Sequence, residues 1–333
     1  MKPSIYGLDL EETEKLIEAQ KLPRYRAKQI LEWFYRRNPQ GWEDAGNLPR
    51  NLRRALGERY SLSSLRLAER LTSVSQESVK FLFQTCDGKF LESVLISQRD
   101  RRTVCVSTQI GCKIGCIFCA SGQGGFERNL TAGEIVEQVV WIERSIQSYR
   151  GGAPRSPEGE SAFSMTNHDG GRITNVVFMG MGEPLDNFEA VMKALKILQA
   201  SWGFGLGARR ITVSTVGITP KVLEFVRQSK GRVRLSVSLH SSDDSKRTRL
   251  VPINRRYSLR ELIQVLRQIH RRLKREITFE YTLIRGVNDS RDEANGVIRL
   301  ARPLHAKVNL IPYNPIHDAG WQSPTVQEVE KFR

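Results

Sequence analysis

Three cysteines, Cys112, Cys116 and Cys119, stand in the pattern C-x3-C-x2-C within Cys112-Lys113-Ile114-Gly115-Cys116-Ile117-Phe118-Cys119. No other feature of the chain constrains its fold as tightly. The cysteines follow a β-branched run, Thr103-Val104-Cys105-Val106-Ser107-Thr108, and lead into Gly122-Gln123-Gly124-Gly125. A tetrahedral zinc site wants four ligands, and no His or fourth Cys lies close by to supply one. A disulfide would leave one thiol over and need an oxidising compartment. Thiolates are soft ligands suited to iron–sulfur clusters. The expectation is a four-iron cluster on three cysteines, with one iron left open to a substrate or cofactor. Zinc with a remote fourth ligand, or three unrelated buried thiols, are the competing readings.

The remaining composition bounds where such a centre can work. The 333 residues carry a net charge of +16, which favours a polyanion partner, nucleic acid before an anionic membrane. Charge does not separate RNA from DNA. The hydrophobic content, 39%, suffices for a real core, and no apolar run approaches the roughly 20 residues that span a bilayer. The N-terminus lacks a signal-peptide pattern, and four of the five cysteines crowd between Cys105 and Cys119. A reducing cytoplasm fits that usage better than a secreted scaffold, and no membrane association is expected.

Residues 8–60 read as helical, with Ala27, Ile30, Leu31 and Phe34 at helical spacing. Arg24, Arg26, Lys28, Arg36 and Arg37 interleave with Tyr25, Trp33, Phe34 and Tyr35, a mixture able to grip phosphates and stack on bases. A solvated face over an apolar stripe is the plainer alternative. Residues 1–65 are thus expected to form a helical, RNA-binding accessory domain. Two strand-like runs joined by Asp87-Gly88 then predict a β-hairpin linker within 66–100.

From residue 101 to 333 a βα rhythm sets in. Strand-like runs occupy 103–110, 173–179, 210–216, 234–240, 277–284 and 307–313. Thr131-Ala132-Gly133-Glu134 and Ser258-Leu259-Arg260-Glu261 read as capping boxes, and Thr219-Pro220 as an N-cap followed by Pro. The helix after Ser258 sets Leu262, Ile263, Leu266, Ile269 and Leu273 against Arg267, Arg271, Arg272, Lys274 and Arg275. The interval 150–172 has loop composition and reads as a surface insertion. Strands alternating with helices predict an α/β fold with a parallel sheet, open or curled into a barrel, whose ligands gather at the strands' C-terminal ends. Those ends carry Gly182-Glu183-Pro184, Ser214-Thr215-Val216-Gly217, Ser238-Leu239-His240 and Tyr313-Asn314-Pro315. Glu183 is placed to accept from an ammonium group. Each tip alone is an ordinary strand end; their shared rim makes one composite site. Cys86 and Cys105 read as structural thiols, and His240 as a hydrogen-bonded rim residue.

With these residues in view, the chain resembles the radical S-adenosylmethionine (SAM) superfamily. Its signature is the C-x3-C-x2-C loop after the first barrel strand. The resemblance implies a partial (β/α)6 barrel, a [4Fe–4S] cluster on Cys112, Cys116 and Cys119, and SAM chelated at the open iron. One electron then cleaves SAM to methionine and a 5′-deoxyadenosyl radical. Cys105-Val106-Ser107-Thr108-Gln109-Ile110-Gly111-Cys112, Gly124-Gly125-Phe126-Glu127-Arg128-Asn129-Leu130, Phe178-Met179-Gly180-Met181-Gly182-Glu183-Pro184-Leu185 and Asn309-Leu310-Ile311-Pro312-Tyr313-Asn314-Pro315 are similar to motifs of the RlmN-type adenine-C2 methyltransferases. Those enzymes methylate an adenine of 23S rRNA and of some tRNAs, and take electrons from a donor such as flavodoxin. By this resemblance Gly182, Glu183, Ser214, Ser238, Leu239, His240 and Asn314 line the SAM site. Glu92 corresponds to the proton acceptor, and Cys105 to the cysteine that resolves an enzyme–RNA adduct. Carbon 2 of adenine is electron-poor, so the family first places a methyl on a second cysteine and delivers it by radical addition. That second cysteine belongs to the family's C-terminal segment, and here no Cys follows Cys119. The expectation is a sequence cut short inside the last helix. A sister family acting on carbon 8, and a non-catalytic iron–sulfur RNA-binding protein, are the alternatives.

Overall fold

The computed structural model describes residues 2–37, 39, 41–46, 48–148, 171–273, 276–316 and 320–333. The interval expected as an insertion, 150–172, falls outside them except for its last two residues, as do Lys274 and Arg275.

In chain order the helices α1 (Leu10–Ala19), α2 (Arg26–Arg37) and α3 (Arg50–Arg59) precede strands β1 (Leu65–Thr72), β2 (Ser78–Thr85), β3 (Phe90–Gln98) and β4 (Arg101–Cys105). There follow β5 (Gln109–Gly111), the single turn α4 (Ala120–Gln123), β6 (Phe126–Asn129), α5 (Ala132–Ser148), β7 (Asn175–Phe178) and α6 (Phe188–Gln199). The rest alternates: β8 (Ile211–Thr215), α7 (Thr219–Gln228), β9 (Arg234–Ser238), α8 (Asp244–Leu250), α9 (Leu259–Leu273), β10 (Ile277–Leu283), α10 (Arg291–Ala301), β11 (Lys307–Pro312) and α11 (Val326–Phe332). Among the described residues no helix is long and apolar enough to cross a membrane.

The chain forms two compact units. One comprises Met1–Thr108, Asn129–Gly180 and Glu189–Arg210. Its sheet runs β1-β2-β3-β4-β7, antiparallel up to β4 and parallel between β4 and β7. The Asp87-Gly88 turn joins β2 and β3 as expected, with Gly88 at φ +79°. β1 extends that hairpin on one side, a strand whose sequence, Leu65-Arg66-Leu67-Ala68-Glu69-Arg70, gave little sign of it.

The N-terminal helices belong to this unit. Asp9 and Glu12 form a reciprocal capping box on α1, and Ala27, Ile30, Leu31 and Phe34 bury the predicted face of α2. Of the aromatics interleaved there, Phe34 and Tyr35 serve the packing of the unit. Phe34 is buried, Tyr35 packs on Trp202 and Phe204, and its hydroxyl donates to Tyr6 O (3.1 Å). Arg24 pairs with Glu14, and Arg36 with Glu32, leaving Tyr25 as the exposed ring. An apolar stripe lies beneath α2, while Tyr25, with Arg26 over its ring (5.8 Å), stays at the surface. A buried carboxylate on α5 secures the entry to β1: Glu137 accepts from Ser4 Oγ (3.0 Å), Ser63 Oγ, Ser64 N (2.9 Å) and Leu65 N (3.0 Å).

The second unit comprises Gln109–Arg128, Met181–Phe188 and Ile211–Arg333. Its strands run β8-β9-β10-β11, all parallel, and β5 pairs with β6 apart from them. Neither ladder closes on itself. The run expected as one strand, 103–110, is two: β4 stops at Cys105, and β5 begins at Gln109 in a different sheet. Side chains take over in between, with Ser107 Oγ donating to Glu92 O (2.6 Å) and Gln138 Oε1 accepting from Ser107 N (2.8 Å). The capping box at Thr131 forms on both sides. At Ser258 only half of it forms: Ser258 Oγ accepts from Glu261 N (3.2 Å), while the Glu261 carboxylate turns to Thr219 Oγ1. Thr219 is therefore occupied elsewhere and does not cap α7.

Replacing Glu137 by Ala leaves several buried donors unmet, each costing about 1–3 kcal/mol. The expected result is a loss of about 3 kcal/mol or more in urea denaturation of the E137A variant.

Candidate cofactor site

The cysteine loop is held at its neck by backbone. Cys112 N donates to Gly125 O (2.8 Å), and Gly111 stands at φ +69° with space for no side chain: a Cβ there would lie 1.8 Å from Gly125 O. Glycine is obligatory at such a contact. Within the loop, Cys119 N bonds Cys116 O (3.1 Å), and Gly122 N bonds Cys119 O (3.0 Å), a turn that leads into α4. All three cysteines are half-buried. Cys112 and Cys116 pack, with Phe118, against Ile114, Leu250, Val251, Ile284 and Tyr313.

Burial pushes the Cys112 thiol up to about 11 and Cys116 higher still. The second cause at Cys116 is the charge of Cys119 and Cys112, so the three sulfurs share one electrostatic environment. Among the described residues no three His, Cys, Asp or Glu side chains are gathered as ligands of a single ion. Soft donors in a half-apolar cup, each close enough to feel the others, fit a cluster that spreads its ligands over separate irons.

The turn after β7 brings a carboxylate into the same unit. Gly182 takes φ +96°, and a Cβ there would stand 2.5 Å from Gln109 Cβ. The turn is pinned through Gln109, whose Oε1 accepts from Glu183 N (2.9 Å) and whose Nε2 donates to Asp186 Oδ2 (2.8 Å). Asp186 also pairs with Lys113 of the cysteine loop (2.7 Å). Glu183 is buried, and both its oxygens are engaged. Oε1 accepts from Thr215 Oγ1 (2.6 Å) and Leu185 N (3.0 Å), and Oε2 from Val216 N (2.9 Å). Burial raises its carboxyl to about 7 against the lowering effect of these bonds. The free lone pairs of that carboxylate are what an ammonium group would use.

The tips of β8 and β9 are gathered by a residue the sequence did not single out. Arg247, fully buried in α8, donates to Val216 O (2.7 Å), Ser238 O (3.0 Å), Leu239 O (3.1 Å) and Asn254 Oδ1 (2.5 Å). In Lys246-Arg247-Thr248-Arg249 it looks like one surface cation among others. The signal was its spacing to Leu250 and Val251, at i+3 and i+4 on the inward face. Ser214 and Leu239 are buried and Ser238 is half-buried, while Asn314 is exposed beyond β11.

His240 is buried in left-handed backbone at φ +58°. Its Nδ1 accepts from Thr282 N (2.9 Å), which places the proton on Nε2, and its carbonyl accepts from Asn288 Nδ2 (2.7 Å). The ring lies 4.6 Å from that of Phe118, which stands between Cys116 and Cys119 in sequence. Burial, then the Arg247 charge, lowers its pKa to about 3, so the imidazole stays neutral.

Glu92 and Cys105 belong to the other unit. Cys105 pairs with Val94 across β3 and β4, so it shares a sheet face with Val94 and Glu92. The two are diagonal neighbours, about 7–8 Å apart by general sheet geometry. Burial lifts the Cys105 thiol to about 11, and Lys80 Nζ meets Glu92 Oε1 at 2.9 Å. Cys86 is exposed, its Sγ donating to Ser64 O (3.4 Å).

Comparison with known proteins agrees with this architecture. Residues 106–295 match the model of the radical SAM superfamily. The probable dual-specificity RNA methyltransferase RlmN 3 of Opitutus terrae is 38% identical over 99% of this chain and 87% of its own length. The probable RlmN of Moorella thermoacetica is 42% identical over 95% of this chain and 85% of its own. The crystal structure of a radical SAM methyltransferase from Sphaerobacter thermophilus superposes with a TM-score of 0.88. It is 42% identical and covers 99% of this chain and 91% of that one.

Two outcomes are expected of the site itself. Gly182→Ala should cost about 1–3 kcal/mol in denaturant melts, because the turn must both strain and displace Gln109. Below about pH 6.5 the unfolded chain protonates His240 and the folded chain does not, so stability falls until about pH 3. His240→Asn keeps an acceptor and tolerates positive φ. Between pH 7 and pH 5 it should therefore lose less stability than wild type, the difference growing by about 1.4 kcal/mol per pH unit once past the ordinary value.

Proposed function

This chain belongs to the radical SAM superfamily and, within it, to the RlmN-type methyltransferases; from that premise we propose that it methylates carbon 2 of an adenine in 23S rRNA, and in some tRNAs, through a methyl-cysteine intermediate. The observation that carries the reading is one compact unit. In it the Cys112–Cys119 loop, the Glu183 turn and the tips of β8, β9 and β11 belong to a single parallel-stranded frame.

The cofactors of the family are a [4Fe–4S] cluster and SAM. Cys112, Cys116 and Cys119 would hold the cluster, and Gly182, Glu183, Ser214, Ser238, Leu239, His240 and Asn314 would line the SAM site. When bound, the cluster supplies the electron that splits SAM. The chain's own groups orient and exclude water. Glu183 offers a desolvated carboxylate to the amino group, and His240 offers an Nε2–H of fixed direction. The apolar wall of Ile114, Leu250 and Tyr313 keeps the cysteine loop dry. By the family's reaction Glu92 would take the ring proton from the adduct. Cys105, on the same sheet face, would attack the sulfur of the methyl-carrying cysteine of the family's C-terminal segment. A disulfide would form as that sulfur's bond to the transferred carbon breaks and leaves its electron pair on the carbon. With its thiol raised by burial, Cys105 needs a neighbouring base before it attacks.

The net charge of +16 supports an RNA substrate, and exposed Arg260, Arg267, Arg271 and Arg272 on α9 add to it. An electron donor such as flavodoxin would reduce the cluster. Five unbridged cysteines suit a reducing compartment, and we assign the protein to the cytoplasm.

Expression of the gene in a host lacking the activity, followed by nucleoside analysis of its rRNA, is the test. 2-Methyladenosine is expected; 8-methyladenosine in its place would overturn the carbon-2 assignment. With reconstituted protein, Cys116→Ala should abolish both the cluster's visible absorbance and 5′-deoxyadenosine formation. Glu183→Gln should keep the cluster and weaken SAM binding at least tenfold, about 1.4 kcal/mol.

A further inference from the structure

Arg247 is a buried cation whose four acceptors, three carbonyls and the Asn254 amide oxygen, are all neutral. Its direct hydrogen bonds all go to neutral oxygens. The Asp244 carboxylate reaches it only through Asn254, whose Nδ2 donates to Asp244 Oδ1 (3.1 Å), and Glu183 only across Val216. A buried guanidinium without a directly bonded carboxylate is expensive. Two observations show where its influence falls. The carbonyls it binds, Val216, Ser238 and Leu239, are the strand tips that flank Ser214 and His240. The helix that carries it also touches the cysteine loop: Ile117 N donates to Leu250 O (3.2 Å), and Leu250 and Val251 pack beside Cys112 and Cys116.

We propose that Arg247 is a positioning residue that also acts through its charge. It clamps the tips of β8 and β9 into one rim, and its charge favours the reduced state of a cluster bound at Cys112, Cys116 and Cys119. The inference rests on the cofactor reading above. One electron from an external donor adds one negative charge to a centre already surrounded by thiolates. In low-dielectric surroundings a nearby fixed cation stabilises that product more than the oxidised form. Burial lowers the guanidinium only to about 10, so it remains charged at any working pH.

The test is a potentiometric titration of the reconstituted protein followed by electron paramagnetic resonance, with SAM cleavage kinetics alongside. Arg247→Gln removes the charge. At a fixed poise its ratio of reduced to oxidised cluster should fall about tenfold, a negative shift of about 59 mV for a one-electron couple. Arg247→Lys keeps the charge but not the fork. Its ratio should stay within threefold of wild type, while KM for SAM rises about tenfold with kcat little changed. Should Arg247→Gln not fold, Arg247→Met carries the charge test, because it removes the charge while an unbranched apolar chain fills the buried site, and it should move the potential the same way. Potentials unmoved in both Arg247→Gln and Arg247→Met overturn the inference, as does Arg247→Lys shifting as far as Arg247→Gln. Wild-type protein that takes up no cluster overturns the cofactor reading and this inference together; a loaded, SAM-cleaving wild type with unmoved variants overturns this inference alone.

Discussion

A parallel sheet stops abruptly, and beyond its last rung the backbone amides and carbonyls have no neighbouring strand to bond. A site built on strand tips must satisfy each of those groups without filling the space meant for a ligand. Here two buried side chains of opposite character, an acid and a guanidinium, do it. Glu183 collects N–H groups at Val216 and Leu185, and Arg247 collects C=O groups at Val216, Ser238 and Leu239. The residue Val216 is held from both sides, its amide by the carboxylate and its carbonyl by the guanidinium. Each side chain thus fixes backbone that would otherwise be free, and the rim can be rigid although it is made of loops.

Much of this was legible beforehand. The cysteine spacing, the six strand runs and the Gly-Glu-Pro turn are local patterns, and local patterns survive folding. The strand predicted over 103–110 failed in an instructive way. Its β-branched composition is right on both sides of the break, but Ser107 and Thr108 are buried where side-chain bonds replace the ladder, and no single-strand periodicity records a change of sheet. Arg247 failed for another reason. Nothing in its own identity separates it from exposed Arg249, two residues on; only its spacing to Leu250 and Val251 hints at the burial that does. The Ser258 box was half right because Glu261 found a better donor, Thr219, on a different helix.

Glu92 and Cys105 show the opposite case. Neither would be chosen from composition, and family resemblance alone pointed to them. The register of β3 against β4 gives that pairing a physical basis, since it sets both on one sheet face. Neighbouring groups on a sheet face share their solvent exposure and are positioned by the same ladder. The base and thiol roles proposed for them would gain from such a mounting.

The pinch between Gly111 and Gly125 has a consequence for how this loop can change over time. It turns the segment between them into a closed ring of fixed circumference, with its clasp made of main chain. Side chains around the ring are free to vary wherever they face outward. A residue gained or lost inside it would have to be absorbed by the ring itself, because the clasp is main chain and Gly111 admits no Cβ. A change in the ring's length would thus act on the three sulfurs it carries.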